Sequence, residues 1–256
     1  MKFQRFNSRV LSENCYALSD GGACVIVDPG FYYAEEVDAL LSWLGGTVPD
    51  AILLTHGHFD HTMGIKRLRA IWPEIPVYMH PADEAMLQED VRIAASLGLH
   101  DVDFSFAWTP VSDGQTLVFG GSGDVCDCGS SEAGGSSEAD GLSEADGLRF
   151  KVIATPGHSP GGICWYCERL ELVFTGDSLF AGTIGRTDFA YGDYDSLIRS
   201  IMEKLLLLPG STDIYPGHGY PSTIARERES NPFLEPFNEP EESFDPDLGG
   251  IEIHPL

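Results

Sequence analysis

The chain is short of several things, and each shortage excludes a class of protein. Its 256 residues hold no apolar run of about eighteen, so a membrane-spanning helix is not expected. The opening residues, MKFQRFNSRVLSENCYAL, lack the apolar stretch of a secretory signal. Cysteines number only six, and without an export signal they fit a reducing cytoplasm better than a disulfide scaffold. Bases are scarce: 15 Lys and Arg stand against 40 Asp and Glu, a formal net charge of −25. Phosphate contacts need a basic surface, so nucleic acid is not an expected partner. No G-x-S-x-G motif is present to supply a serine nucleophile.

The acid excess is unevenly placed. Residues 121–148 carry seven acids and no Lys or Arg, and Asn231–Leu256 carries seven more, again without a base. The first of these segments is rich in Gly and Ser and repeats SEADGL in tandem at Ser137–Leu142 and Ser143–Leu148. It offers too little apolar surface to offset the entropy of ordering, so it reads as a mobile acidic insertion at about 120–148. The expected flanks are the strands QTLVFG and LRFKVIAT, joined as a hairpin. The Pro- and Glu-rich segment 231–256 reads as an extended or wrapped tail, leaving 1–230 as one domain.

The body alternates strand and helix. ACVIVDPG and AILLTHGH read as buried strands ending in turns, and Val37, Leu40, Leu41 and Leu44 recur at amphipathic helical spacing. Helical character is expected from His61 to Trp72, over ADEAMLQEDVRIAAS with Gly98 as terminator, and near Tyr194–Leu208. Further strands are expected at PVYMH, Phe150–Ala154, Ile163–Glu168, Glu171–Phe174 and Asp213–Tyr215. The fold class is therefore α+β, or layered α/β. Cys164 and Cys167 have C-x-x-C spacing. Three residues apart in a strand, however, they face opposite sides, so both are expected to be packing residues.

Chemistry concentrates in LTHGHFDH. His56, His58 and His61 are three of only eight histidines in the chain. Four segments share the format of an apolar strand followed by a turn with a polar side chain: AILLTHGHFDH, VIATPGH (His158), ELVFTGD (Asp177) and DIYPGHG (His218). VIVDPG, with Asp28, is a fifth. Strand ends fix the backbone while the turns let side chains converge on one rim, and Gly57, Gly157, Gly176 and Gly217 permit sharp turns and close approach. Imidazole with carboxylate is a donor set for zinc or iron. His56 and His58 lie two apart and face one way, whereas Asp60 and His61 start the next helix and can be aimed elsewhere. Two ions are expected, one held by His56, His58 and His158 and the other by Asp60, His61 and His218, with Asp177 bridging. His80, His100 and His254 stand outside this format and read as ordinary hydrogen-bonded histidines.

The run H-x-H-x-D-H (HGHFDH), followed in order by GHSPGG, GDSLF and PGHG, resembles the metallo-β-lactamase superfamily, in its glyoxalase II-like branch. The resemblance implies a four-layer αββα sandwich with a dinuclear site at one edge, and it places Asp28 behind the metal ligands. It tells against a true β-lactamase of the common dizinc type, where departures at His61 and Asp177 are expected. GTIGRTDF (Gly182–Phe189) resembles small glyoxalase II-like hydrolases and persulfide dioxygenases, and TIARERESNPFL (Thr223–Leu234) resembles the small hydrolases. Glyoxalase II carries a helical carboxy-terminal domain, to which the short acidic stretch after His218 bears no likeness. Its glutathione contacts are therefore not carried over.

The expected activity is metal-dependent hydrolysis of S-2-hydroxyacylglutathione or a related small-molecule thioester in the cytoplasm. Two divalent ions, zinc or iron, would generate the hydroxide, and Asp60 would also orient the nucleophile. A mononuclear iron persulfide dioxygenase and a metal-dependent lactonase are the alternative enzymes, and an inactive metal-binding protein is the alternative of another class. Arg186 either meets a substrate carboxylate or pairs with Asp188. Arg226 and Arg228, interleaved with Glu227 and Glu229, read as a solvated helix face.

Overall fold

The computed structural model describes residues 1–120 and 147–235. The first half builds one mixed sheet from β1 (Lys2–Asn7), β2 (Asn14–Asp20), β3 (Ala23–Val27), β4 (Ala51–Leu53), β5 (Val77–Met79) and β6 (Thr109–Pro110), in that spatial order. β1 to β3 form an antiparallel meander, and β3 to β6 run parallel. Parallel neighbours need crossovers, supplied here by α1 (Ala34–Leu44), by α2 (Phe59–Thr62) with α3 (Ile65–Ile71), and by α4 (Glu84–Ser96). The second half begins with β7 (Thr116–Phe119), β8 (Leu148–Ala154), β9 (Ile163–Cys167) and β10 (Leu172–Gly176). The hairpin β11 (Leu179–Phe180) and β12 (Thr183–Ile184) follows, then α5 (Tyr194–Glu203), β13 (Asp213–Pro216), β14 (Ser222–Thr223) and α6 (Ile224–Ser230). The second sheet runs β14-β13-β10-β9-β8-β7.

Three apolar layers hold these elements. Val25, Leu53, Phe150, Trp165 and Phe174 fill the space between the sheets. Ile26, Leu40, Ile52 and Leu68 join the first sheet to its helices, while Cys164, Val173, Leu197 and Ile201 join the second sheet to α5. The architecture is thus helix–sheet–sheet–helix. β9 shows how sequence produces it: ICWYC is buried throughout, with Ile163, Trp165 and Cys167 facing the other sheet and Cys164 and Tyr166 facing α5. The two cysteines therefore lie on opposite faces, as a period of two requires.

The structure departs from the sequence expectations at element ends. Helix begins at Phe59, before His61, and is interrupted at Gly64, where the chain crowds Pro29; a Cβ there would lie 2.4 Å from the Pro29 carbonyl oxygen. α5 stops at Glu203, and Leu205–Leu207 forms a separate 3₁₀ turn. In α6, Arg226, Arg228 and Glu229 are exposed as expected, and Glu227 is the departure. Glu227 is buried and accepts hydrogen bonds from Ser222 Oγ, the Gly182 N–H (2.8 Å) and Asn231 Nδ2 (2.8 Å). Arg228 donates to the carbonyls of Leu206 and Leu208. The start of the expected tail also packs on the body: Pro232–Leu234 is a 3₁₀ turn with Leu234 in the third core layer. β7 and β8 do pair as an antiparallel hairpin, closing at Phe119 and Leu148. The acidic insertion between them, with Cys126 and Cys128, lies outside the described residues from 121 to 146, as does the tail from 236, with His254. No helix among the described residues is long and apolar enough to cross a membrane.

Candidate metal centre

The singled-out side chains meet at the ends of β3, β4, β8, β10 and β13, on one edge of the two sheets. The β4 end is drawn to the second sheet by two cross-sheet bonds, Trp165 Nε1 to the Leu54 carbonyl (3.0 Å) and the Ile163 N–H to the Thr55 carbonyl (2.8 Å). There the ring nitrogens of His56, His58 and His158 lie within 4.8 Å of one another, and so do the donor atoms of Asp60, His61 and His218. Asp177 stands between the two sets. Its Oδ1 is 3.5 Å from His61 Nε2, and its Oδ2 is 3.5 Å from His158 Nε2 and 3.6 Å from His218 Nε2. Gly217 permits this approach, since a Cβ there would lie 2.4 Å from Asp177 Oδ1 and 2.6 Å from His61 Cε1.

The partners behind the rings fix which nitrogen is free. Thr55 Oγ1 donates its one proton to Asp28 Oδ2 (2.6 Å), so it accepts from His56 Nδ1 (3.0 Å), and the lone pair of His56 is on Nε2. His158 Nδ1 donates to the Arg186 carbonyl (2.7 Å) and His61 Nδ1 donates to Asp28 Oδ2 (3.1 Å), which again frees Nε2. His58 Nε2 is engaged with Tyr191 Oη (2.9 Å), turning Nδ1 inward. As a result His58 Nδ1 lies 2.9 Å from both His56 Nε2 and His158 Nε2. With the lone pairs of His56 and His158 both turned toward His58 Nδ1, the three ring nitrogens form a converging donor set for a cation. His61 Nε2 and Asp177 Oδ1 are buried without a hydrogen-bond partner, an arrangement that costs about 1–3 kcal/mol per group if nothing fills it. The residues therefore fit divalent metal, and imidazole with carboxylate suits zinc or iron.

Charge divides the cluster. Burial drives the proton affinity of His56 well below the usual imidazole range, aided by the neighbouring rings, and takes His58 down to about 3. Burial acts the same way on His61, but Asp177, Asp60 and Asp28 outweigh it and raise His61 well above its ordinary value. His218 is raised too, because its bond to Asp60 and the charge of Asp177 overcome burial. Asp60 is held in its ionised form: burial opposes this, but His61 and His218 prevail.

Several supporting residues carried no signal in the sequence. Asp83, buried at the start of α4, accepts from the Gly57 N–H (3.0 Å), Ser159 Oγ (2.8 Å) and the Gly161 N–H (2.5 Å), tying the HGH turn to the GHSPGG turn. Asp90 accepts from the Phe59 N–H (2.6 Å). Both sit inside an amphipathic helix and read as ordinary surface acids; only the packing shows their task. Asp28 was legible as a strand-end carboxylate. What the structure adds is its φ of 46°, a left-handed conformation that aims its carboxylate at Thr55 and His61. Arg186 makes a two-pronged pair with Asp188 (2.9 Å each) and lies 5.0 Å over the Phe189 ring. His80 stays outside the cluster and accepts from the Ala82 N–H with Nδ1.

The cluster floors a cavity of about 370 Å³. Residues 8–218 match the family model of the metallo-beta-lactamase superfamily, covering well over half of the chain. The chain belongs to the metallo-beta-lactamase superfamily. Within it, hydroxyacylglutathione hydrolase GloC of Haemophilus influenzae is 32% identical over 238 residues, covering 87% of this chain and 92% of that protein. Among solved structures, the B3 metallo-beta-lactamase BLEG-1 superposes with a TM-score of 0.73 at 32% identity, covering 91% of this chain and 99% of its own. TTHA1623, solved in a di-iron-bound form, gives 0.70 at 33% identity, covering 88% and 96%.

Proposed function

We propose that this metal-dependent hydrolase of the metallo-beta-lactamase superfamily is a thioesterase working with two divalent ions. His56, His58 and His158 would hold one ion, Asp60, His61 and His218 the other, and Asp177 would be shared. The observation that carries the reading is the convergence of these seven side chains at one edge of the sheets, with His58, Asp60, His158, Asp177 and His218 lining one cavity and His56 and His61 buried beside them. Bound zinc or iron would supply a hydroxide near neutral pH and polarise the substrate carbonyl.

The chain's own groups do the rest. Thr55, Tyr191 and the Arg186 carbonyl lock three imidazoles in one orientation, and Asp28 holds the fourth. Partners of this kind typically govern about 10–100-fold in affinity or activity. Asp60, buried and ionised, accepts a proton-bearing nucleophile and aims its lone pair along the cavity. Asp60, His56 and His61 are buried, so these fixed charges act where solvent screens them least. A thiolate departs without a proton, so its release needs no general acid.

The likeness to GloC supports a glutathione thioester as the first substrate to test. The second set, Asp60–His61–His218, offers a place for a second ion, which favours the two-ion reading over the one-iron dioxygenase. The likeness to BLEG-1 favours one further reading, β-lactam hydrolysis by the same centre. The test is loss of thioester absorbance with S-D-lactoylglutathione, run on zinc- and iron-loaded protein with Asp60→Asn as control. Nitrocefin and a lactone are assayed alongside. Cleavage of the thioester alone, abolished in the variant, is the expected result. Cleavage of nitrocefin or lactone without thioester turnover would overturn the thioesterase reading.

A further inference from the structure

The cavity above the metal ligands is walled by an unusual amount of exposed hydrocarbon. Leu11 is 55% exposed, Ile93 43% and Leu97 55%, and all three line it together with Phe59, Phe180 and Phe189. Exposed aliphatics scattered singly need no explanation, but a contiguous set around a concave site does. They come from four separate places: the β1–β2 turn, the start of α2, the last turns of α4 and the residue after it, and the segment from β11 to the GRTDF loop. Their only common point is the site.

Leu11 makes the strongest case. It sits at φ 55°, followed by Ser12 at φ 56°, two consecutive non-glycine residues in the left-handed region. Glycine would adopt this turn without strain, yet leucine stands there with its side chain at the cavity. Around it the turn is firmly placed. The Asn14 N–H donates to the Gly217 carbonyl (2.7 Å), Asn14 Nδ2 donates to the Pro216 and Gly219 carbonyls (3.0 Å each), and Glu13 bridges to His218. The turn is thus fastened to the very loop that carries a metal-ligating candidate.

The polar lining points the same way. Among the described residues around the cavity, Arg186 is the one Lys or Arg, and its guanidinium is already paired with Asp188. Asp60 and Asp177 lie on the floor, where they would be taken up by the metal ions, and the chain as a whole carries −25. On the walls beyond the ions, a charged group at the far end of an acyl chain would find no unpaired Lys or Arg, whereas a hydrocarbon chain would find six apolar side chains.

We infer that this cavity binds an uncharged, extended acyl chain, so that the enzyme favours thioesters of medium-chain apolar acids over short hydroxy acids. The inference rests on the thioesterase reading for its reaction but not for its binding. Titration calorimetry of zinc-loaded protein with straight-chain carboxylates, acetate to octanoate, tests it directly. Affinity is expected to rise about two- to fourfold per methylene, as for apolar surface leaving water. Leu11→Gly, which relieves the backbone, and Ile93→Gln, which suits a helix, are both expected to flatten that slope. Leu207→Ser, at an exposed leucine outside the cavity, is expected to keep it. Affinity that is flat or falls beyond acetate, or a slope untouched by both cavity variants, overturns the inference. The matching acyl-glutathione series then separates the two claims. A rising binding slope without hydrolysis of any member removes the thioesterase reading and leaves the acyl site. Hydrolysis fastest for the lactoyl ester keeps the reading and removes the acyl preference.

Discussion

The two halves of the ligand cluster are built to opposite electrostatic plans. His56, His58 and His158 are three imidazoles backed by neutral partners: a threonine hydroxyl, a tyrosine hydroxyl and a main-chain carbonyl. Burial and mutual repulsion keep His56 and His58 unprotonated. Asp60, His61 and His218 are set among carboxylates, with Asp28 behind and Asp177 in front, and both histidines there hold protons more tightly than usual. The first half is prepared for a cation by having no proton to lose. The second is prepared by negative charge, which attracts protons and metal alike. One strand-to-helix turn serves both plans because the β4 end holds His56 and His58, while α2 redirects Asp60 and His61.

The largest effect is expected where the halves meet. Asp177→Ala removes the shared carboxylate, and activity should fall by more than the roughly 100-fold typical of an outer partner. Metal analysis should show a loss at both halves; a variant that keeps two ions per chain would break the comparison. Asp83→Ala should damage the imidazole half selectively, because Asp83 ties the His58 turn to the His158 turn. Leaving two N–H groups and a hydroxyl without their buried acceptor should cost about 3 kcal/mol or more in a urea melt. Metal content should fall by about one ion.

Asp28→Asn sharpens the contrast from the other side. Asparagine tolerates the left-handed backbone at 28, but an amide cannot accept at both ends, so the charge behind His61 is lost and the Thr55 link to His56 is weakened. The mixed half should bind metal about 10–100-fold more weakly, with a smaller loss at the imidazole half. pH should divide the halves in the same sense. Protons must leave His61 and His218 before metal can bind, so dialysis from pH 8 down to pH 5 should strip the mixed half first. Loss of both ions together would contradict the electrostatic division.

The smallest effect concerns Asp90. Burial raises its carboxyl from an ordinary 3.8 to about 7, against the lowering effect of the Phe59 N–H. The folded chain therefore binds this proton more tightly than the unfolded chain. The resulting stability is present below pH 3.8 and is lost as pH rises through about 7. Asp90→Asn should remove that part of the pH dependence from thermal melts.

Much of this was legible in the residues. The strand-then-turn format of HGHFDH, GHSPGG, GDSLF and PGHG marked the seven candidate ligands that the structure brings together, because a short apolar run ending in a Gly-containing polar turn leaves few alternatives to a strand end. ICWYC revealed its opposed cysteines through a period of two. Glu227 was misread for a related reason: its neighbours Arg226, Arg228 and Glu229 look solvated, and nothing local announces that Ser222, Gly182 and Asn231 will surround it.

By itself, then, the sequence determined the layered α+β class, the set of candidate donors and the division of HGHFDH into two pairs, since these depend on local periodicity and on donor chemistry. Only the tertiary structure decided which nitrogen of each histidine faces inward, that Asp83 and Asp90 hold the turns of the candidate ligands, and that Leu11, Ile93 and Leu97 share one cavity. Those facts depend on groups far apart in the chain, and long-range packing leaves no local mark on the residues it joins.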